Sequence, residues 1–413
     1  NEINLDLKSK NKMFRLLQGD VGSGKTIIAL ICASNVVDSN YQVSVMAPTE
    51  ILATQHYKLA KNLFKNLNIK VELLTGKIDR KKRKEILINL KNQKIDVLFG
   101  THAIFQKSVL FKKLGLIIID EQHKFGVKQR MSLSHKGGVD CDILLMSATP
   151  IPRTLMMSVY GDMDISRLTE KPSNRKIILT YSKPESKIQE IIRFIKKEIK
   201  LDNQIFWVCP LINVSKKVDY ESAVKKHEFL KKIFPNQVGL IHGGLNKEDK
   251  ENTLKMFLEK KFLILVSTTV IEVGIDIPNA NIIIIENSNK FGLSQLHQLR
   301  GRVGRSNKQG VCILMYKKNL SQNARKRINI LKSTNDGFVI ADDDMKLRGY
   351  GDILGFKQSG VKNFKLADPV LHSELFLLAE KEINKIEQSD ISFNRYMPLL
   401  KLYDLADIIN EIN

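Results

Sequence analysis

The sequence predicts an α/β fold: two doubly wound parallel-sheet domains in tandem, followed by a small helical and loop extension. Three observations carry this. From residue 13 onward, short and nearly continuous hydrophobic runs alternate with helical stretches, as strands covered on both faces of a parallel sheet should read. The alternation breaks at a polar, proline-containing segment, Thr-Glu-Lys-Pro-Ser-Asn-Arg at 169–175, and then starts again. The length agrees, because 413 residues exceed one ordinary domain and leave each half enough chain to bury its own core.

The first series places strands at residues 13–17, 43–47, 96–99, 116–119 and 143–146. The second places them at 177–181, 204–208, 238–241, 262–266, 282–285 and 311–315. Beyond residue 320 the pattern turns helical and then irregular, and the Gly-rich stretch from Arg348 to Gly360 reads as a functional loop. The expected divisions are therefore 1–171, 172–320 and 321–413. The basic run Asp-Arg-Lys-Lys-Arg-Lys at 79–84 reads as the solvated start of a helix rather than a targeting signal.

Composition narrows the class of partner. A formal net charge of +22, from 66 Lys and Arg against 44 Asp and Glu, suggests a polyanion, since neutralising phosphates releases counterions and draws basic surfaces onto nucleic acid. A Lys-, Asn- and Ile-rich compositional bias is the competing reading of the charge taken alone. Cys32, Cys141, Cys209 and Cys312 are scattered with no C-x-x-C pair, which supports neither a zinc site nor a disulfide framework. No apolar stretch is long enough to span a bilayer, and the first residues lack the features of a signal peptide. A cytoplasmic location without membrane contact is the expectation.

Chemistry enters at residues 19–26, Gly-Asp-Val-Gly-Ser-Gly-Lys-Thr, a full G-x-x-x-x-G-K-T between a buried strand and an apolar helix. Such a turn aims backbone N–H groups and the positive end of a helix dipole at phosphate oxygens, with Lys25 reaching the terminal phosphates and Thr26 holding Mg²⁺. Gly19, Gly22 and Gly24 shape the loop. Further on, Asp120 and Glu121 follow a hydrophobic strand at the edge where α/β sheets carry ligands. By the logic of phosphoryl transfer, Asp120 would hold Mg²⁺ and Glu121 would orient or deprotonate the attacking water. In the second series, Gln298 to Arg305 spell Q-x-x-G-R-x-G-R, and arginine matches phosphate oxygens bidentately and stabilises transition-state charge. With the phosphate loop on one domain and Arg302 and Arg305 on the other, ATP would bind in the cleft and its hydrolysis would be tied to closure.

Together with Ala-Pro-Thr-Glu-Ile-Leu-Ala (47–53), Leu-Thr-Gly (74–76), Gly-Thr-His-Ala (100–103), Ser-Ala-Thr-Pro (147–150), His-Gly-Gly-Leu (242–245) and the segment 266–276, these motifs resemble superfamily 2 helicases, in order and over most of the chain. The resemblance implies two tandem RecA-like domains of the P-loop NTPase class, with ATP and Mg²⁺ as cofactors. It further implies that Ser147 and Thr149 couple hydrolysis to domain movement and that Gly274 and Asp276 border the nucleotide. Thr49, Gly76, Thr101, Gly243 and Thr269 would lie near the nucleic-acid backbone, and Gln298, Arg302 and Arg305 near the phosphates.

Within the superfamily, Asp-Glu-Gln-His-Lys-Phe-Gly-Val (120–127) and residues 15–25 look like the RecG family. Residues 345–360 resemble a translocation motif shared by RecG and the transcription-repair coupling translocase Mfd, in which an Arg and a Gln matching Arg348 and Gln358 transmit movement to duplex DNA. Residues 364–374 continue in the RecG manner. The resemblance implies an ATP-dependent translocase or helicase on double-stranded and branched DNA, acting in fork reversal, Holliday junction migration, recombination and repair. It also implies a monomer, with single-strand-binding protein or replication-fork proteins as partners. An Mfd-like translocase, a superfamily 2 RNA helicase and a non-catalytic DNA-binding module stand as alternatives. Two departures are visible: nothing matches the N-terminal wedge domain of RecG proteins, and the aromatic and Gln that usually grip adenine are not identifiable. The expectation is a C-terminal motor portion of a longer protein.

Overall fold

In a computed structural model of the chain, the described residues are 1–76, 78–121, 141–148, 163–170, 176–210, 216–268, 277, 279–304, 308–348, 373–387 and 398. Two compact units divide it: residues 1–152 with 162–349, which hold both sheets, and residues 153–161 with 350–413.

The first sheet is built from β1 (Phe14–Gly19), β2 (Gln42–Met46), β3 (Val71–Leu74), β4 (Val97–Gly100), β5 (Leu114–Ile119), β6 (Asp142–Ser147) and β7 (Asp164–Leu168). Its order is β3-β4-β2-β5-β6-β1-β7, and every pairing is parallel. Helices α1 (Glu2–Lys8), α2 (Lys25–Asp38), α3 (Glu50–Leu63) and α4 (Arg80–Lys91) accompany it. Leu17, Val43, Val45, Phe99, Leu116 and Ile118 form one core face with Ala33 of α2 and Ala60 of α3. Leu74 and Leu98 turn the other way, onto Ile86 and Leu90 of α4. Continuous hydrophobic runs mark the inner strands because both of their faces are buried. The two strands absent from the sequence expectation, β3 and β7, lie at the sheet's edges, where Glu72, Asp164 and Arg167 dilute the apolar signal.

The second sheet contains all six expected strands: β8 (Leu179–Pro184), β9 (Gln204–Val208), β10 (Val238–Ile241), β11 (Ile264–Ser267), β12 (Ala280–Ile285) and β13 (Val311–Tyr316). Its order is β10-β11-β9-β12-β13-β8, again wholly parallel. The helices here are α5 (Ile188–Lys200), α6 (Lys216–Ile233), α7 (Lys247–Leu258), α8 (Leu293–Arg300), α9 (Gln322–Ser333) and α10 (Gly337–Arg348). Strand residues alternate between two cores. Phe206, Val208, Ile283 and Ile285 pack with Phe257 of α7, Leu296 of α8 and Leu331 of α9. Ile205, Trp207, Ile282 and Ile284 pack with Ile192 of α5 and Leu230 of α6. In the second compact unit, α11 (Ser373–Glu387) is described and exposes Leu375, Leu378 and Ile383. Among the described residues, no helix is long and apolar enough to cross a membrane.

A buried glutamine opens a central strand of each sheet and ties distant backbone to it. Gln42 Nε2 donates to the carbonyls of Leu90 (2.9 Å) and Ile95 (2.8 Å), while its Oε1 accepts from the amides of Lys112 (2.8 Å) and Lys113 (3.1 Å). Gln204 Nε2 likewise donates to the carbonyls of Phe257 (2.5 Å) and Phe262 (3.0 Å). Such groups are costly to strand, because a buried donor or acceptor that loses its partner keeps its desolvation penalty. Gln42→Leu is expected to destabilise the fold by about 2–3 kcal/mol, measured by urea unfolding at unchanged m-value.

Candidate nucleotide site

Strand order decides where the chemistry gathers. In the first sheet β6 lies between β5 and β1, with Gln18 opposite Ser147 and Ile119 opposite Leu145, so the C-terminal ends of these three strands are neighbours. They carry the phosphate loop, Ser147, and the Asp120-Glu121 pair. The loop takes its shape from Gly22 (φ 76°) and Gly24 (φ 94°), left-handed positions that favour glycine, and Gly24 caps the N-terminus of α2. The first turn of α2 contains no acidic residue, leaving the positive end of its dipole for an anion. Lys25 is buried, and its Nζ donates to the carbonyls of Gly19 (2.7 Å) and Asp20 (2.9 Å). Burial drives its ammonium below the ordinary lysine value, against the pull of Asp120, Glu121 and Asp20.

Asp120 and Glu121 lie side by side in different environments. Burial pushes the Asp120 carboxyl up, but the hydrogen bond and charge of His56, with Lys25 behind them, outweigh it and hold the group below its ordinary value. His56, on α3, places Nε2 2.8 Å from Asp120 Oδ2, and both side chains are buried. The other oxygen, Oδ1, accepts the amide of Glu121 at 2.9 Å. That contact supports an uncommon backbone, since Glu121 sits at φ 52°. Burial, and then the charge of Asp120, raise the Glu121 carboxyl above its ordinary value, with Lys25 and Arg302 opposing. One carboxylate is thus kept ionised while its neighbour is made more basic.

The second sheet reaches the same place through α8 and the turn after it. Arg302 is buried, and its charge acts on both Lys25 and Glu121. Gln298 is buried on α8. Arg300 behaves differently from its neighbours: it is 1% exposed, and its Nη1 donates to the carbonyls of Leu331 (2.6 Å) and Thr334 (2.9 Å), a docking role within the second sheet.

The residues expected along a nucleic-acid backbone fall on the other half of the first sheet's edge. Thr49, Gly76 and Thr101 follow β2, β3 and β4, which are adjacent. Thr49 caps α3, its side chain accepting the Leu52 amide at 3.3 Å, and the Gly76 amide donates to Glu50 Oε1 at 3.1 Å. Thr101 is buried. Gly243 follows β10, exposed, and its carbonyl accepts Lys250 Nζ at 3.1 Å. Thr26 is half-buried in the first turn of α2. Thr149, Thr269, Gly274, Asp276, Arg305 and Gln358 lie outside the described residues, and Arg348 ends α10 with its side chain outside them. His56, Asp20 and His297 are the site-bordering residues that sequence reasoning missed. No linear spacing links His56 to Asp120, and His297 stood inside the arginine segment as an unassigned position.

The sign of the Glu121 shift bears on stability. A carboxyl raised in the folded state contributes stability that is complete below its ordinary pKa and is lost as pH rises through the raised value. Its charge at neutral pH is therefore a net cost to folding. Glu121→Gln is expected to melt above the parent at neutral pH, with the gap closing on acidification, measured by calorimetry across that range.

Comparison with known proteins agrees with this geometry. The DEAD/DEAH box helicase family pattern matches residues 4–158, the helicase conserved C-terminal domain matches 186–307, and the C-terminal part of domain 3 of the ATP-dependent DNA helicase RecG matches 334–399. The ATP-dependent DNA helicase RecG of Bacillus subtilis (strain 168) is 46% identical over 391 residues, covering 94% of this chain and 57% of the relative. A structure of RecG bound to a three-way DNA junction superimposes with a TM-score of 0.75 at 43% identity, covering 91% of this chain and 49% of that one. Mss116p bound to ssRNA and AMP-PNP, at 18% identity and a TM-score of 0.61 over 79% of this chain and 70% of that one, shares the fold alone. The chain spans about half the length of the curated relatives it matches. With its motifs, its two parallel sheets and these relatives in agreement, the chain is similar over 94% of its length to the ATP-dependent DNA helicases of the RecG family.

Proposed function

We propose that the chain hydrolyses ATP with Mg²⁺ and uses the cycle to move along double-stranded DNA at branch points, driving fork reversal and Holliday junction migration in recombination and repair. The observation that carries this is the meeting of Lys25, Asp120 and Glu121 from the first sheet with the field of Arg302 from the second. The similarity to a RecG bound to a three-way DNA junction supports branched DNA as the substrate. The net charge of +22 supports a polyanionic track.

In this reading Lys25, with Gly19, Gly22, Gly24 and the N-terminus of α2, holds the β- and γ-phosphates. The Thr26 hydroxyl and the Asp120 carboxylate are hard oxygen donors that would hold Mg²⁺, which would supply positive charge to offset that of the phosphates. His56 keeps Asp120 oriented and ionised for that role. Glu121, made more basic by its surroundings, orients the attacking water and accepts its proton. Arg302 and Arg305, with Gln298 beside them, meet the charge developing on the transferred phosphoryl group. Gly274 and Asp276 border the nucleotide, and Ser147 and Thr149 tie hydrolysis to movement of the sheets. Thr49, Gly76, Thr101, Gly243 and Thr269 follow the DNA backbone.

The domains are assigned as 1–171, 172–320 and 321–413, the last carrying Arg348 and Gln358 as the residues that pass movement to the duplex. A monomer working in the cytoplasm completes the reading. Lys25→Ala is expected to lower DNA-stimulated phosphate release at least about a hundredfold. Release stimulated by single-stranded RNA and indifferent to duplex or forked DNA would overturn the assignment of substrate. Arg348→Ala and Gln358→Ala are expected to keep most of the DNA-stimulated hydrolysis while losing triplex displacement. Translocation unchanged by both would remove the coupling role of this segment.

A further inference from the structure

The phosphate loop and the helix that ends in Arg348 meet at one buried junction, and neither side chain that joins them is assigned a contact with the nucleotide above, although the charge of Asp20 also acts on Lys25. His297, on α8, places Nε2 2.7 Å from Oδ1 of Asp20, in the phosphate loop, with the two residues 4% and 6% exposed. The same carboxylate oxygen accepts the Val21 amide at 2.7 Å. On its far side, His297 Nδ1 faces Arg300 Nη2 at 2.9 Å. A guanidinium only donates, so Nδ1 is the acceptor and the Nε2–H donates to Asp20. Arg300 in turn holds the carbonyls of Leu331 and Thr334, where α9 ends, three residues before α10 begins at Gly337.

The start of α10 closes the junction. A Cβ added to Gly337 would lie 2.8 Å from His297 Nε2 and 3.3 Å from Asp20 Cγ, so glycine is what allows helix, imidazole and carboxylate to meet. The next residue, Phe338, has the Arg167 guanidinium of β7 5.5 Å from its ring centroid. The first turn of α10 therefore rests on the first sheet while the helix packs against α8 and α9 of the second.

We infer that Asp20 and His297 are positioning residues that convert a shift of the phosphate loop into a displacement of α10, and so of the segment that follows Arg348. The inference rests on the proposed ATP-driven function. Its physical basis is the lack of slack in the chain of contacts. When the loop moves on binding or losing a phosphate, it either breaks the contact between Asp20 and His297, leaving a carboxylate and an imidazole buried without each other, or draws His297, Arg300 and the end of α9 along with it. At the start of α10 even a Cβ on Gly337 would lie 2.8 Å from His297 Nε2, so the contact leaves little room to absorb the motion.

The test compares His297→Ala, Asp20→Asn and Gly337→Ala with the parent 413-residue chain, reading phosphate release and triplex displacement together to give base pairs moved per ATP. His297→Ala and Gly337→Ala are expected to keep hydrolysing, and in all three variants, whatever the rate of hydrolysis, this ratio is expected to fall at least about fivefold. The double variant Asp20→Asn with His297→Ala should fall no further than the worse single, because both remove one link. His297→Gln, whose amide presents an acceptor to Arg300 and a donor to Asp20, should recover part of the loss. Unchanged ratios in the folded variants, or a double variant that loses the product of the two singles, would overturn the inference. If His297→Ala does not fold, as read by its melting transition, Asp20→Asn and Gly337→Ala carry the same comparison. A parent chain that fails to couple hydrolysis to duplex movement removes the functional reading itself, and this inference with it.

Discussion

Four charged groups, the buried Lys25, Asp120 and Arg302 and the half-buried Glu121, lie within reach of one another's fields, and none is supported by its own element alone. A lone charge taken out of water costs far more than a small domain has to spare, so each is tolerable only because the others surround it. Lys25 and Glu121 remain shifted toward their neutral forms even so, whereas Asp120 is held ionised by His56. The strain of Glu121 at φ 52° belongs to the same account. Such tension suits a site that must receive a highly charged ligand, since a triphosphate supplies the negative charge that Lys25 and Arg302 lack.

The strand order of the first sheet separates two sets of motif residues along one edge. Adjacent β1, β6 and β5 end in the phosphate loop, Ser147 and the acidic pair, whereas adjacent β2, β4 and β3 end at Thr49, Thr101 and Gly76. Ser147, at the end of β6, lies next to the phosphate loop, and the acidic pair on β5 neighbours the half that ends in Thr49. In the proposed function, an event at the nucleotide has a short path through packed parallel strands to the other half. Asp20 and His297 give a second path, out of the phosphate loop toward α10.

Much of this was legible before any coordinates. Every strand of the second sheet was marked by its apolar run: β9, β11 and β12 are buried throughout, and even the edge strand β8, which is half-exposed, carries Leu179 and Tyr181 next to Ile177 and Ile178. The first sheet lost β3 and β7 in the reading, because an edge strand bearing Glu72 or Arg167 looks like the loops around it. Motif residues were found because their chemistry demands particular types at fixed spacing: a glycine where φ is positive, a lysine one step on, carboxylates at a strand end. His56 and His297 had no such mark. Each is a single polar residue on a helix, and its meaning depends on a partner 64 positions away for one and 277 for the other.

What the amino-acid order determined alone was therefore local: helix and strand periods, the glycine turn, the clustered arginines, and the family resemblance those patterns carry. Motif spacing singled out Arg302 for the phosphates, but only the tertiary structure decided that Arg300, two residues away and of the same type, ties down the end of a helix through the carbonyls of Leu331 and Thr334. It likewise decided that Asp120 would stay ionised while Glu121 became more basic. Charge states and pairings of this kind arise from burial and from groups brought together across the fold, and neither quantity exists in a chain until it has closed on itself.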